Sequence, residues 1–406
     1  MNDLNETPTP KAQTSPKAIV AGHLCLDIIP DLSKTKSASK DGNFVVPGRL
    51  IRIGAASLAL GGAVSNTGIA FAKLGVNAEL MGKIGDDLLG KTILEAFRKQ
   101  GIPNLDFTSG MIIEPGEVSS YTIVVSPPEQ DRCFLHCSGA NDTFAPKNIP
   151  LHKLSGARLL HFGYPTLMRQ IYSNPAEFAA QLAEVRKLGL LVSLDVTMPD
   201  ASGPEGEVDW RRWFEIVLKE VDIFLPSLEE TLFMLNRPMF EEISRRALRV
   251  TPPPGASVNP AAFLTWEQIE SLAQELLDLG VEVAGIKLGD EGLFVKTQPA
   301  PVRVTEGMPW EVAQTWRNRA HLAPCFDVKV VGTTGSGDCT IAGFLTGLLE
   351  GWALPTTMDF ATAVGACNVQ AMDATSGIPP RAGVLERMQT WERKVSKIQR
   401  DGKKHL

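Results

Sequence analysis

Val331-Gly332-Thr333-Thr334-Gly335-Ser336-Gly337-Asp338-Cys339-Thr340-Ile341-Ala342-Gly343-Phe344-Leu345-Thr346-Gly347 runs from a glycine-rich loop straight into an apolar-periodic segment. Gly335, Ser336 and Gly337 allow a tight turn that exposes backbone N–H groups. Ile341, Phe344, Leu345, Leu348 and Leu349 then recur at helical spacing, so a helix is predicted to start near Gly337. Its free N–H groups and positive dipole end would face an anion held in the loop. Asp338 falls in the first helical turn, where the helix end is expected to keep it ionised. A carboxylate beside an anion cradle is electrostatically unfavourable unless it has a task. Taking the proton of a hydroxyl that attacks a phosphate is such a task; a plain helix N-cap is the structural alternative.

Strand and helix patterns alternate through the rest of the chain. Ala18–Ile29 reads as one buried strand with Gly22 and Asp27 near its end. Gly61-Gly62 opens a helix over Ala63–Leu74, followed by a strand over Asn77–Ile84 and a helix over Leu88–Lys99. Further strands are predicted at Arg158–Phe162, Leu190–Val196, Asp222–Leu225, Val281–Leu288 and Gly292–Thr297. Helices are predicted over Pro175–Leu188, Trp266–Leu279 and Thr357–Met372. This alternation predicts an α/β fold with a parallel sheet and right-handed crossovers. Residues 41–60 and 117–137 break the rhythm with β-rich, turn-separated segments, read as a small lid sheet over a cleft. Residues 1–17 read as a disordered tail, 238–264 as an insertion, 299–326 as irregular and 394–406 as a solvated polar tail. The intervening 18–393 form one domain.

The chain has 406 residues, 44% hydrophobic and 21% charged, with a net charge of −6, which argues against a broad nucleic-acid footprint. It does not argue against one nucleotide. No apolar run reaches the roughly 18 residues of a membrane span, and no signal segment opens the chain, so a cytoplasmic protein is expected. Six cysteines occur without a CxxC pair. Cys133 and Cys137 would share one face of a strand with His136 on the other, which favours free thiols over a metal–thiolate site.

Several segments together resemble the ribokinase-like, PfkB-type carbohydrate kinase family. Gly61-Gly62-Ala63-Val64-Ser65-Asn66, Phe71-Ala72-Lys73-Leu74-Gly75 and Gly82-Lys83-Ile84-Gly85-Asp86-Asp87-Leu88-Leu89-Gly90 look like its first signature. Thr333-Thr334-Gly335-Ser336-Gly337-Asp338 looks like its second. Gly139-Ala140-Asn141, Pro226-Ser227-Leu228-Glu229-Glu230 and Lys287-Leu288-Gly289-Asp290-Glu291-Gly292 follow the family's order between them. The resemblance spans residues 18–390. It implies a three-layer α/β/α fold with a central mainly parallel sheet and a small β lid. It also implies phosphorylation of a sugar hydroxyl with ATP and Mg²⁺.

On this resemblance Asp338 is the general base, and Gly335, Ser336 and Gly337 form the anion hole. Asp27, Gly61, Gly62 and Asn66 face the substrate, because a polyol needs carboxylate and amide partners. Lys287, Gly289, Thr333 and Asn368 border the nucleotide. Glu230, or its neighbour Glu229, acts on Mg²⁺ through water. Three positions depart from the family. Gly332 replaces an Asp that helps hold a monovalent cation in some relatives, which leaves K⁺ activation open. Ser227 replaces an Asn of a metal-linked motif. Gly163 stands where ribokinases carry an acid that contacts sugar, so ribose bound in that style is not expected. A nucleoside kinase of the same fold, with Tyr164 or Tyr121 beside the base, is one alternative; a non-catalytic sugar-binding protein is the other. A homodimer through the lid is a possible assembly.

Overall fold

A computed structural model describes residues 17–33, 48, 50–126, 133–250 and 258–398. The expected tail up to residue 16, parts of the lid and insertion, and residues 399–406 lie outside the described residues. The chain enters through β1 (Lys17–Gly22), leaves the main sheet as β2 (Cys25–Pro30) and β3 (Ala56–Gly61), and returns through α1 (Ala63–Lys73) to β4 (Asn77–Gly85). Then come α2 (Leu88–Gln100), β5 (Leu105–Glu114), β6 (Tyr121–Val125) and β7 (Cys133–Cys137). Alternation resumes with β8 (Leu159–Gly163), α3 (Arg169–Tyr172), α4 (Pro175–Lys187), β9 (Leu191–Asp195), α5 (Trp210–Val217) and β10 (Ile223–Phe224). Helices α6 (Leu228–Leu235), α7 (Arg237–Ala247) and α8 (Trp266–Asp278) lead to β11 (Val283–Lys287) and β12 (Leu293–Thr297). The last elements are α9 (Trp310–Thr315), β13 (Ala320–Ala323), α10 (Ser336–Leu349), α11 (Leu354–Asn368) and α12 (Arg381–Thr390).

Nine strands form the main sheet in the order β13-β12-β11-β10-β9-β8-β1-β4-β5. Only the β11–β12 and β12–β13 pairs are antiparallel. Both faces are covered, and the pleat shows how. In β1, Ala18 and Val20 join one core with Phe71, Phe344 and Phe360, while Ile19 and Ala21 join the other with Phe162, Phe178 and Trp213. Side chains alternate across a strand, so an unbroken apolar run feeds two helical layers at once. The result is the expected three-layer α/β/α arrangement. A second sheet, ordered β3-β2-β6-β7, stands beside it as the small lid.

Several expectations need correction. Ala18–Ile29 is two strands, not one, and β2 lies in the lid rather than the main sheet. The break falls at Gly22, whose φ of +123° suits glycine, and where a Cβ would meet the Gly163 carbonyl oxygen at 2.2 Å. Within the expected insertion at 238–264, the described residues include most of α7 and a short turn of 3₁₀ helix over Pro260–Phe263. The stretch at 299–326 holds α9 and β13, so it completes the sheet edge. β5 and α12 were not anticipated. The first part of the C-terminal tail is docked: the Ser396 hydroxyl and Lys397 N–H both donate to Glu291. Lys17, expected in the tail, begins β1. Among the described residues no helix is long and apolar enough to cross a membrane.

Candidate active site

Asp338 sits in the first turn of α10 and is 2% exposed. The turn before it is built by Gly335, in the left-handed region at φ 70°, where a Cβ would press on Ala374 Cβ at 2.7 Å. Gly335, Ser336 and Gly337 remain partly open to solvent. The Asp338 carboxylate is aimed inward. Its Oδ2 accepts from Asn66 Nδ2 at 2.9 Å, and the Tyr164 hydroxyl lies 2.9 Å from each oxygen. Burial pushes the Asp338 carboxyl above its ordinary range, against the opposing pull of Asn66, Lys287 and Tyr164. Desolvation is thus the largest influence on this carboxyl, set against the helix end that was expected to keep it ionised.

Lys287 ends β11 beside the cradle. Its side chain is 13% exposed, and its Nζ lies 3.6 Å from where a Gly337 Cβ would stand. Nζ also contacts Asp195 Oδ1, at the end of β9, at 2.7 Å. Burial lowers its proton affinity, but Asp195, Glu230 and Asp338 outweigh that, so the ammonium is held above its ordinary value. Lys287 is thus a charged, tethered cation rather than a solvated one. Glu230 Oε2 accepts from Ser227 N–H at 2.6 Å while Ser227 Oγ accepts from Glu230 N–H, a capping box that starts α6. Burial raises the Glu230 carboxyl, countered first by Lys287. Among the described residues no three His, Cys, Asp or Glu side chains gather as a direct metal shell. Glu230, a carboxylate with one oxygen committed to the helix cap, fits a water-mediated contact to Mg²⁺.

The lid contributes the opposite wall. Gly61 brings backbone within 2.5 Å (to a would-be Cβ) of Asp27 Oδ1, and Gly62 within 2.7 Å of His23 Nδ1. Both glycines therefore exist for close approach, and Gly62 also needs its φ of +86°. Burial raises the Asp27 carboxyl to about 6. His136 links the Thr122 hydroxyl, 3.0 Å from its Nδ1, to His23, 3.3 Å between their Nε2 atoms. Burial keeps both imidazoles below their ordinary value, hence neutral near pH 7. The His23 ring lies 5.0 Å from His136 and 6.0 Å from Tyr164.

The structure thus brings together Asp338, Gly335, Ser336, Gly337, Asn66, Lys287 and Glu230, with Asp27, Gly61 and Gly62 across the lid. Gly289, exposed at φ 58°, follows Lys287, and Thr333 is exposed at the cradle rim. Asn368 is fully buried at the end of α11, and its amide holds the Ala374 carbonyl that backs Gly335; it braces the loop from behind. A Cβ at Gly163 would meet Ala63 Cβ at 2.1 Å, so no side chain fits at this position. Its successor Tyr164 faces the site instead, from a left-handed backbone (φ 61°, ψ 48°) that costs a non-glycine residue on the order of 1 kcal/mol. Tyr121 packs against the core, and His161 is buried against Ser193 with its imidazole lowered to about 3. All six cysteines are free. Sequence reasoning missed Asp195, His23 and the contact of Tyr164 with Asp338. The usable signal for Asp195 was its place at the carboxyl end of a parallel strand, where α/β sheets bind ligands.

The architecture is that of the ribokinases. Ribokinase from Arabidopsis thaliana, solved with ribose and ATP, superposes with a TM-score of 0.67 at 21% identity, over 92% of this chain and 99% of the other. The chain belongs to the pfkB family of carbohydrate kinases, whose profile matches residues 17–381. An uncharacterized sugar kinase of Archaeoglobus fulgidus is 24% identical over 76% of this chain and 97% of its own length. Ribokinase of Haemophilus influenzae is 23% identical over 84% and 92%.

Proposed function

We propose that this carbohydrate kinase transfers the terminal phosphoryl group of ATP to a hydroxyl of a sugar or sugar derivative, with Asp338 as general base. The carrying observation is the buried Asp338 carboxylate, oriented by Asn66 and Tyr164 at a helix N-terminus that also carries the glycine cradle. A sugar hydroxyl is too weak an acid to ionise at neutral pH. As its oxygen bonds to phosphorus and the bond from phosphorus to the ADP oxygen breaks, its proton passes to Asp338. The N–H groups of Gly335, Ser336 and Gly337 and the Lys287 ammonium stabilise the charge spread over the transferring oxygens. Mg²⁺, when bound, offsets the charge of the triphosphate, and Glu230 would hold it through water. Gly332 supplies no carboxylate where some relatives use one to hold a monovalent cation, so little dependence on K⁺ is expected. Asp27, Gly61 and Gly62 hold the sugar from the lid side.

A nucleoside acceptor is the second reading. The rings of His23, His136 and Tyr164, tilted by 49° and 37° to one another, are the aromatic surface that supports it. A panel of sugars and nucleosides assayed for ADP release with ATP and Mg²⁺, with and without K⁺, separates the two. Asp338→Asn is expected to cut turnover by about 10²–10⁴-fold while leaving ATP affinity nearly unchanged. Unchanged turnover would remove Asp338 from the reaction, and an absence of turnover by the unaltered protein on every acceptor would favour a sugar-binding role.

A further inference from the structure

We infer that Tyr164 is a positioning residue that sets both the orientation and the charge of Asp338, an inference that rests on the kinase reading. Its phenol is placed at the end of β8 by a strained left-handed residue between Gly163 and Pro165. The backbone is fixed there because Tyr164 N–H donates to the Asp195 carbonyl oxygen at 3.2 Å. The hydroxyl then lies 2.9 Å from both Asp338 oxygens, where an acceptor alcohol must arrive. The two oxygens are not equivalent. Oδ2 accepts from both Asn66 and the phenol, and Oδ1 accepts from the phenol. When the alcohol enters, the phenol stays on Oδ2 with Asn66, and Oδ1 is released to receive the proton. Until then the phenol covers the base against water, which would otherwise accept the phosphoryl group.

The charged and titratable groups around Asp338 are Lys287 from β11, Glu230 from α6, Asp195 from β9, Cys25 from β2 and its neighbour Cys339. Lys287 stabilises the carboxylate and the acids oppose it. A hydrogen bond donated by Tyr164 favours the charged form. Removing that donor raises the pH below which Asp338 is protonated and inactive.

The test compares unaltered protein, Tyr164→Phe, and protein in which 3-fluorotyrosine replaces tyrosine, using the best acceptor from the panel. Fluorination makes the phenol a stronger donor without removing it, so it keeps the test valid if the Phe variant folds poorly. The acid limb of kcat/KM is expected to move up by roughly one pH unit in Tyr164→Phe and down with 3-fluorotyrosine. ATP hydrolysis without acceptor is expected to rise several-fold in Tyr164→Phe. Acid limbs that stay put in an active, folded Tyr164→Phe, or that move the same way in both proteins, would overturn the role of Tyr164 alone. Failure of the unaltered protein to phosphorylate any acceptor would overturn the kinase reading and this inference with it.

Discussion

Gly335 and Gly337 sit two residues apart in one loop, yet the structure asks different things of them. Gly335 needs its left-handed φ of 70° and has Ala374 Cβ at 2.7 Å from a would-be side chain. Gly335→Ala is expected to destabilise the fold by about 1–3 kcal/mol. Gly337 has no such strain; its nearest neighbours are the Lys287 side-chain atoms at 3.6 Å. Gly337→Ala should therefore keep or slightly raise Tm, since alanine favours a helix by up to about 1 kcal/mol. It should also lower kcat by roughly tenfold or more, because the methyl group stands between Lys287 and the anion. Thermal melts and ADP-release assays on both variants check this; full activity in Gly337→Ala would take that glycine out of the anion hole. The loop, its acid and Asn66 stand out in sequence because each lies in a short local pattern, but Asn66, expected to face the substrate, donates to Asp338. Tyr164, Asp195 and His23 do not, since their roles depend on strand ends that meet only after folding. Lys287 lay between: its position was readable, its tether to Asp195 was not.

At the scale of elements, α6 joins local folding to the site through one pair of residues. Ser227 and Glu230 satisfy each other's backbone N–H groups and so start the helix. Only Glu230 also carries charge toward Lys287 and Asp338. Two substitutions separate these duties. Ser227→Ala is expected to cost about 1 kcal/mol of stability with the Mg²⁺ dependence unchanged. Glu230→Gln retains an oxygen for the cap, so Tm should hold while the Mg²⁺ concentration for half-maximal rate rises several-fold. An unmoved Mg²⁺ titration in Glu230→Gln would assign Glu230 to the cap alone. The same contrast explains which elements sequence could delimit. Helices α1, α2, α4 and α8 carried clear apolar periodicity and lie within a residue or two of expectation. β1 and β2 share one apolar run, and only the tertiary contact of Gly22 with Gly163 divides it. β13 is a short antiparallel edge with mixed exposure, so it offered no period to read.

At the scale of the whole molecule the lid sheet stands beside the main sheet with one face toward the site. Register puts Asp27, Thr122 and His136 in one cross-strand row, and contacts of that row with Cys25 and His23 show that it faces the site. The neighbouring row, on the opposite face, is Leu58, Ile28, Ile123 and Leu135. Leu58 is 55% and Leu135 58% exposed, so both ends of this apolar row are open to solvent. An exposed sheet face usually shows the reverse, with polar side chains toward water. One continuous patch of this kind suits an isologous contact, in which two copies present the same surface to each other. We therefore expect the protein to dimerise in solution through its lid. Leu58→Glu or Leu135→Glu places a charge in that row at little cost to the monomer, within about 0.5 kcal/mol for an exposed site. Sedimentation should then change from dimer to monomer while Tm at low protein concentration stays put, and KM for the acceptor should rise as the lid loses its support. A monomeric unaltered protein at micromolar concentration would sink the expectation, and a dimer that survives both substitutions would move the contact to another surface.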